Sequence, residues 1–210
     1  MMFHEEAIAD DQKSVLEQLG PVAKERGFYL AGGTAIALHL GHRRSVDFDW
    51  FRSDSFSRPM EWAQALRGKG IRFDTTSVDE GTLHGTISRV RISFFEYKYP
   101  LLSSPVVWTA YDTHLASLDD LACMKLVAIA QRGTKKDFVD LYALCEKHRL
   151  LSDLINRYQQ KYQTDDIAHL LYALTYFDDA EAERMPVLLW DIDWQTVKHS
   201  IRTWVKDMAR

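Results

Sequence analysis

The residues best suited to chemistry lie in Leu30-Ala31-Gly32-Gly33-Thr34-Ala35 and, further along, in Asp47-Phe48-Asp49. Two glycines let a backbone pass close to a ligand, and a helix opening directly behind them presents amide N–H groups that have no partner inside the helix. Such a turn cradles an anion. If the second segment is a strand, its two carboxylates stand at i and i+2, on one face, where they can share a hard cation. Mg²⁺ suits that arrangement because it takes few protein carboxylates and completes its shell with water and phosphate oxygens. Alone, a Gly-Gly pair is usually a tight turn and an Asp-x-Asp is usually a solvated strand face. Their ordered combination points to a metal–nucleotide site.

The elements needed to position these residues are legible in the periodicity. Phe28 to Ala31 reads as a short buried strand, and Thr34 to Leu40 as a helix closed by Gly41. Val46 to Phe51 alternates acid and apolar side chains as a strand does. Upstream, a helical stripe runs from Glu5 to Leu19 and is expected to stop before Pro21. Ser55 or Ser57 is placed to cap a helix through Trp62 and Leu66. Ile71–Thr76, Leu83–Ile87 and Val90–Tyr97 read as a meander of strands. From Ser117 the period turns helical, with further helices over Leu151–Tyr162, Asp166–Phe177 and Trp194–Met208. The shift between Pro105 and Thr113 divides an α/β lobe, residues 1–112, from a helical lobe, residues 113–210.

Composition narrows the function. The chain has 210 residues, 46% hydrophobic and 27% charged, with a formal net charge of -4. That is a folded globular composition, and it argues against nucleic-acid binding by bulk charge. The acidic N-terminus without an apolar run, and the absence of any long apolar stretch, point to a cytoplasmic protein with no membrane partner. Cys123 and Cys145 read as core thiols, and no histidine or cysteine spacing suggests zinc. Lys125 reads equally as a snorkelling helix lysine or as a phosphate ligand. Asp137 reads as a helix N-terminal acid, Asp140 as its i,i+3 partner on the same helix face, and Arg43 and Lys135 as solvated loop charges.

Ala31-Gly32-Gly33-Thr34 followed by Arg44-Ser45-Val46-Asp47-Phe48-Asp49 resembles the first motif of the nucleotidyltransferase superfamily, and more closely that of its AbiEii/AbiGii toxin family from type IV toxin–antitoxin systems. Leu121-Ala122-Cys123-Met124-Lys125-Leu126 and Lys135-Lys136-Asp137-Phe138 are similar to that family's helical motif. The resemblance implies a nucleotidyltransferase fold: α/β, with a mixed, mainly antiparallel sheet and a C-terminal helical bundle. It implies Gly32, Gly33, Thr34, Arg44, Ser45 and Lys125 as nucleotide ligands, and Asp47 and Asp49 as Mg²⁺ ligands. Asp47, Asp49, Lys125 and Asp137 become the catalytic set. The implied reaction is Mg²⁺-dependent transfer of a nucleoside monophosphate from a nucleoside triphosphate to a hydroxyl of an RNA, such as tRNA, or of a protein. An antitoxin protein is an implied partner. Many members add a third carboxylate from a later strand, where this chain aligns Ser93. Strand alternation turns the nearby Glu96 to the opposite face. The alternative is therefore a degenerate member that binds nucleotide, or a partner, without turnover.

Overall fold

The computed structural model describes residues 3–208. Helix α1 (Asp10–Glu25) leads into β1 (Tyr29–Ala31), α2 (Gly32–Leu40) and β2 (Asp47–Arg52). After α3 (Pro59–Gly68) come β3 (Asp74–Asp79), β4 (Thr82–Ile87) and β5 (Val90–Glu96), then the short strands β6 (Val106–Trp108) and β7 (Thr113–Leu115). Helices α4 (Leu118–Gln131), α5 (Lys135–Lys147), α6 (Leu151–Tyr162), α7 (Ala168–Thr175), α8 (Asp178–Glu181) and α9 (Trp194–Met208) follow.

The strands form one sheet in the order β3-β4-β5-β2-β1-β7-β6. The β2–β5 and β1–β7 pairings are parallel and the rest antiparallel, so the sheet is mixed and mainly antiparallel, as expected. Alternation along each strand divides its two faces. Phe48 and Trp50 of β2 and Phe94 of β5 are fully buried. Phe94 packs against Phe28 at 5.0 Å and against Trp62 of α3 at 5.6 Å between ring centroids. Burying each such ring contributes about 1.5–3 kcal/mol. Asp47, Asp49 and Phe51 alternate with these residues and stand on the other, partly open face.

Several local expectations are corrected. Helix α1 continues through Pro21 to Glu25; the carbonyl that proline leaves unpaired is that of the exposed Glu17, where water can satisfy it. Neither Ser55 nor Ser57 caps α3, which opens instead on Pro59, a residue preset for the first helical turn. The strands β6 and β7 have three residues each, too few to show a period, and α8 is a single turn. Arg43 and Lys135 are not solvated: they are 4% and 7% exposed. Lys135 donates to the carbonyls of Glu181 and Glu183.

Two long-range contacts tie the helices to the sheet region. Lys161 of α6, fully buried, donates to Asp120 of α4 at 2.7 Å and to the carbonyl of Pro100. The segment between α8 and α9 returns to the loop after α2: Arg43 and Leu188 form a β-bridge, Arg44 N–H donates to the Val187 carbonyl at 2.8 Å, and Leu189 N–H to the His42 carbonyl at 2.9 Å. The Trp190 ring meets His42 edge-on.

Candidate active site

Gly32 turns the chain from β1 into α2 with φ +66°, a backbone conformation open mainly to glycine. A Cβ there would lie 2.7 Å from Asp49 Oδ2, so the carboxylate points at the glycine turn. Gly33 serves a different neighbour. Its missing Cβ would fall 2.3 Å from Arg43 Nη2 and 3.3 Å from Asp140 Oδ2. The Thr34 hydroxyl donates to the Asp47 carbonyl, and it shares a 2.7 Å hydrogen bond with Ser45 Oγ. These two hydroxyls therefore anchor the start of β2 to α2.

Asp47 and Asp49 lie on one face of β2, in register with Arg91 and Ser93 of the parallel β5. Arg91 donates to both Asp47 oxygens, at 2.7 and 2.9 Å, from a side chain 71% exposed. The Ser93 hydroxyl, in register with Asp49, favours the charged form of that carboxylate. Burial raises the Asp49 carboxyl above its ordinary pKa, the neighbouring charge of Asp47 raises it further, and the Ser93 hydroxyl and Lys125 only partly offset this. Glu96 takes no part: it is on the opposite face of β5, where it accepts from the Phe56 amide at 2.7 Å.

Beneath the turn lies a buried ionic cluster that draws α2, α4 and α5 together. Lys125 of α4 donates to Asp137 at 2.8 Å and to Asp140 at 2.7 Å, both on α5. Asp140, wholly buried, also accepts from Arg43 through Nε and Nη2 and from His42 Nε2. Burial alone would raise the Asp140 carboxyl, but Arg43, Lys125 and the bond from His42 outweigh it and hold it well below the carboxylate range. Burial shifts His42 down, and the pull of Asp140 only partly offsets it. Asp137 sits in the first turn of α5 in a capping box with Thr134 and also accepts from Arg132. Despite burial it is held low by Lys125 and Arg132.

Two cavities meet at this point. One, of about 430 Å³, is lined by Arg44, Lys136, Asp47 and Pro186 among others. Its neighbour, of about 290 Å³, is lined by Phe51, Phe95, Tyr97 and Met124. Both include Gly33, Asp49, Lys125 and Arg132. The first is a cationic trough around two acids and the second an apolar slot, with Phe51 and Phe95 stacked at 4.9 Å. All the residues expected from the sequence gather here, although Ser45 and Thr34 spend their hydroxyls on each other and on Asp47. Asp140, Arg43, His42 and Arg132 join them. Asp140 and Arg43 sit 97 positions apart, so no local pattern marks their pairing. Among the described residues no group of three or more His, Cys, Asp or Glu side chains is arranged to hold a metal ion.

Residues 54–205 match the model of a family described as nucleotidyl transferase AbiEii toxin, type IV toxin–antitoxin system. The matched region takes in Ser93, Lys125, Asp137 and Asp140 but begins beyond Asp47 and Asp49. A protein of Aquifex aeolicus (strain VF5), itself uncharacterized, is 38% identical over 205 residues, covering 94% of this chain and 95% of the relative. Among solved structures, MenT4, a nucleotidyltransferase toxin from Mycobacterium tuberculosis, is similar with a TM-score of 0.63 at 14% identity, over 93% of this chain and 82% of that one. JHP933 from Helicobacter pylori is similar with a TM-score of 0.56 at 15% identity, over 98% and 90%. At these identities the two structures establish a shared fold.

Proposed function

Because the chain belongs to the AbiEii family of nucleotidyl transferase toxins, we propose that it transfers a nucleoside monophosphate from a nucleoside triphosphate to a hydroxyl of an RNA or protein acceptor, using Mg²⁺. The observation that carries this reading is the aim of Asp49 at the Gly32 turn, beside Asp47, where the cationic and aromatic cavities join. The donor set fits the ion. Two carboxylates on one strand face, one of them desolvated, make a hard, incomplete oxygen shell of the kind that phosphate oxygens complete. Mg²⁺ held by Asp47 and Asp49 would supply positive charge to the triphosphate oxygens.

The protein's own groups then divide the task. Amides of Gly32, Gly33 and Thr34 receive phosphate oxygens, as helix N-termini do. The Lys125 ammonium has three protons, of which Asp137 and Asp140 engage two, and the third is available to a phosphate in the shared lining. Arg44 and Lys136 add charge from the trough wall, and Phe51, Phe95 and Tyr97 offer ring faces to a base. Holding the α-phosphorus in line with the attacking hydroxyl is the main contribution, because a positioned bimolecular step gains several kcal/mol over the free one. A cytoplasmic location and an antitoxin partner belong to the same reading; among the described residues, no helix is long and apolar enough to cross a membrane.

A second reading, a nucleotide-binding protein without turnover, is favoured by two observations: Arg91 occupies both Asp47 oxygens, and Glu96 faces away. One assay separates them. The protein is incubated with Mg²⁺ and each of ATP, GTP, CTP and UTP labelled on the α-phosphate, with total RNA or protein extract as acceptor. Transfer by the native chain, lost in Asp47→Asn and Asp49→Asn, supports the enzyme. Binding with no transfer supports the second reading, and transfer indifferent to both substitutions refutes the assigned acids.

A further inference from the structure

The face of the sheet that carries Asp47 and Asp49 continues outward through Ser93 of β5 to His84 of β4, which lies in register with Ser93. His84 Nδ1 is 3.1 Å from Ser93 Oγ, and Ser93 stands in register with Asp49. A hydroxyl has one proton to give. Donated to the Asp49 carboxylate, it leaves Ser93 Oγ as an acceptor toward His84, which fixes the imidazole proton on Nδ1 and the lone pair on Nε2. The ring is half-buried and edge-on to Phe95, a wall of the apolar slot.

Resting on the nucleotidyl-transfer reading, we propose that His84 is the general base of the reaction, oriented through Ser93. Nε2 takes the proton of the acceptor hydroxyl as that oxygen bonds to the α-phosphorus, and the bond from the α-phosphorus to the bridging oxygen breaks with its electron pair leaving on pyrophosphate. The imidazole stands beside the position at which a third carboxylate would meet Asp49, and Ser93 spans the gap. The charged groups facing it are Asp49 through Ser93, the Asp47–Arg91 pair one step along the β2–β5 register, and Asp74 and Asp79 on the same face of β3.

The test uses whichever labelled nucleoside triphosphate transfers best. His84→Gln lowers transfer by about 10²–10⁴-fold, the usual range for a general base, while the affinity for the nucleotide, measured by calorimetry with Mg²⁺, stays unchanged. Ser93→Asp in the His84→Gln background supplies a carboxylate in register with Asp49 and restores transfer. Full activity in His84→Gln, while Asp49→Asn is inactive, overturns the assignment and leaves the transfer reading intact. A native chain that binds nucleotide and transfers nothing overturns both.

Discussion

Asp140→Asn is the sharpest probe of the ionic cluster beneath the site. The substitution keeps the shape of the side chain and removes its charge. Arg43, 4% exposed, then retains only the Arg44 carbonyl as a partner besides the amide, and Lys125 retains only Asp137. Removing one member of a buried ion pair costs about 3–5 kcal/mol, because the remaining charge stays desolvated. Against a total stability of about 5–15 kcal/mol that is a large fraction, and for a chain of this size it lowers the melting temperature by roughly 2–4 °C per kcal/mol. Urea unfolding followed by tryptophan fluorescence reads the change as a lower midpoint with an unchanged slope. The pH dependence carries a sign. Asp137 and Asp140 are both depressed in the folded state, so their contribution is complete above the unfolded carboxylate pKa of about 3.9 and is lost as the pH falls through their folded values. The variant lacks Asp140's share of that acid sensitivity. Removing Arg43 as well, in Asp140→Asn/Arg43→Met, costs less than the sum of the single changes because the pair is coupled. A loss below about 1 kcal/mol for Asp140→Asn, the level of an exposed pair, would show that the cluster is not a buried charge network.

Two further substitutions separate packing from chemistry. Gly33→Ala drives a methyl group to 2.3 Å from the Arg43 guanidinium and is expected to destabilise by about 1–3 kcal/mol, as overpacking does; a native melting curve for this variant would contradict the close approach. Arg91→Ala removes an exposed partner of Asp47 and should alter stability by less than about 1 kcal/mol, while tightening Mg²⁺ binding because the ion no longer competes with a guanidinium. Calorimetric titration showing weaker Mg²⁺ binding in this variant would assign Arg91 a supporting role instead.

What could be read from the sequence was what is local. The β1 turn into α2 and the alternation of β2 follow from spacing over a few residues, the placement of Ser93 opposite Asp49 comes from the family resemblance, and the regular β5 register keeps Glu96 on the far face as alternation requires. The aromatic run at Phe94, Phe95 and Tyr97 divides by the same rule: Phe94 is core and its neighbours line the slot. Composition could not show that Asp140 and Arg43 are buried, because burial of each depends on finding the other across 97 positions. Asp140 therefore reads only as an i,i+3 partner of Asp137 along the helix. The short β6 and β7 are held by the pairing of β7 with β1, a tertiary contact with no sequence period of its own.

The bridge between Arg43 and Leu188 sets the order in which the cleft can be completed. A nascent chain emerging from the ribosome exposes the glycine turn and both aspartates early. Yet the guanidinium that packs against Gly33 awaits Asp140, and the trough wall at Pro186 and Val187 comes later still. Contacts of such sequence separation form late in folding. A copy translated only as far as Asp140 therefore still lacks one wall of the cleft.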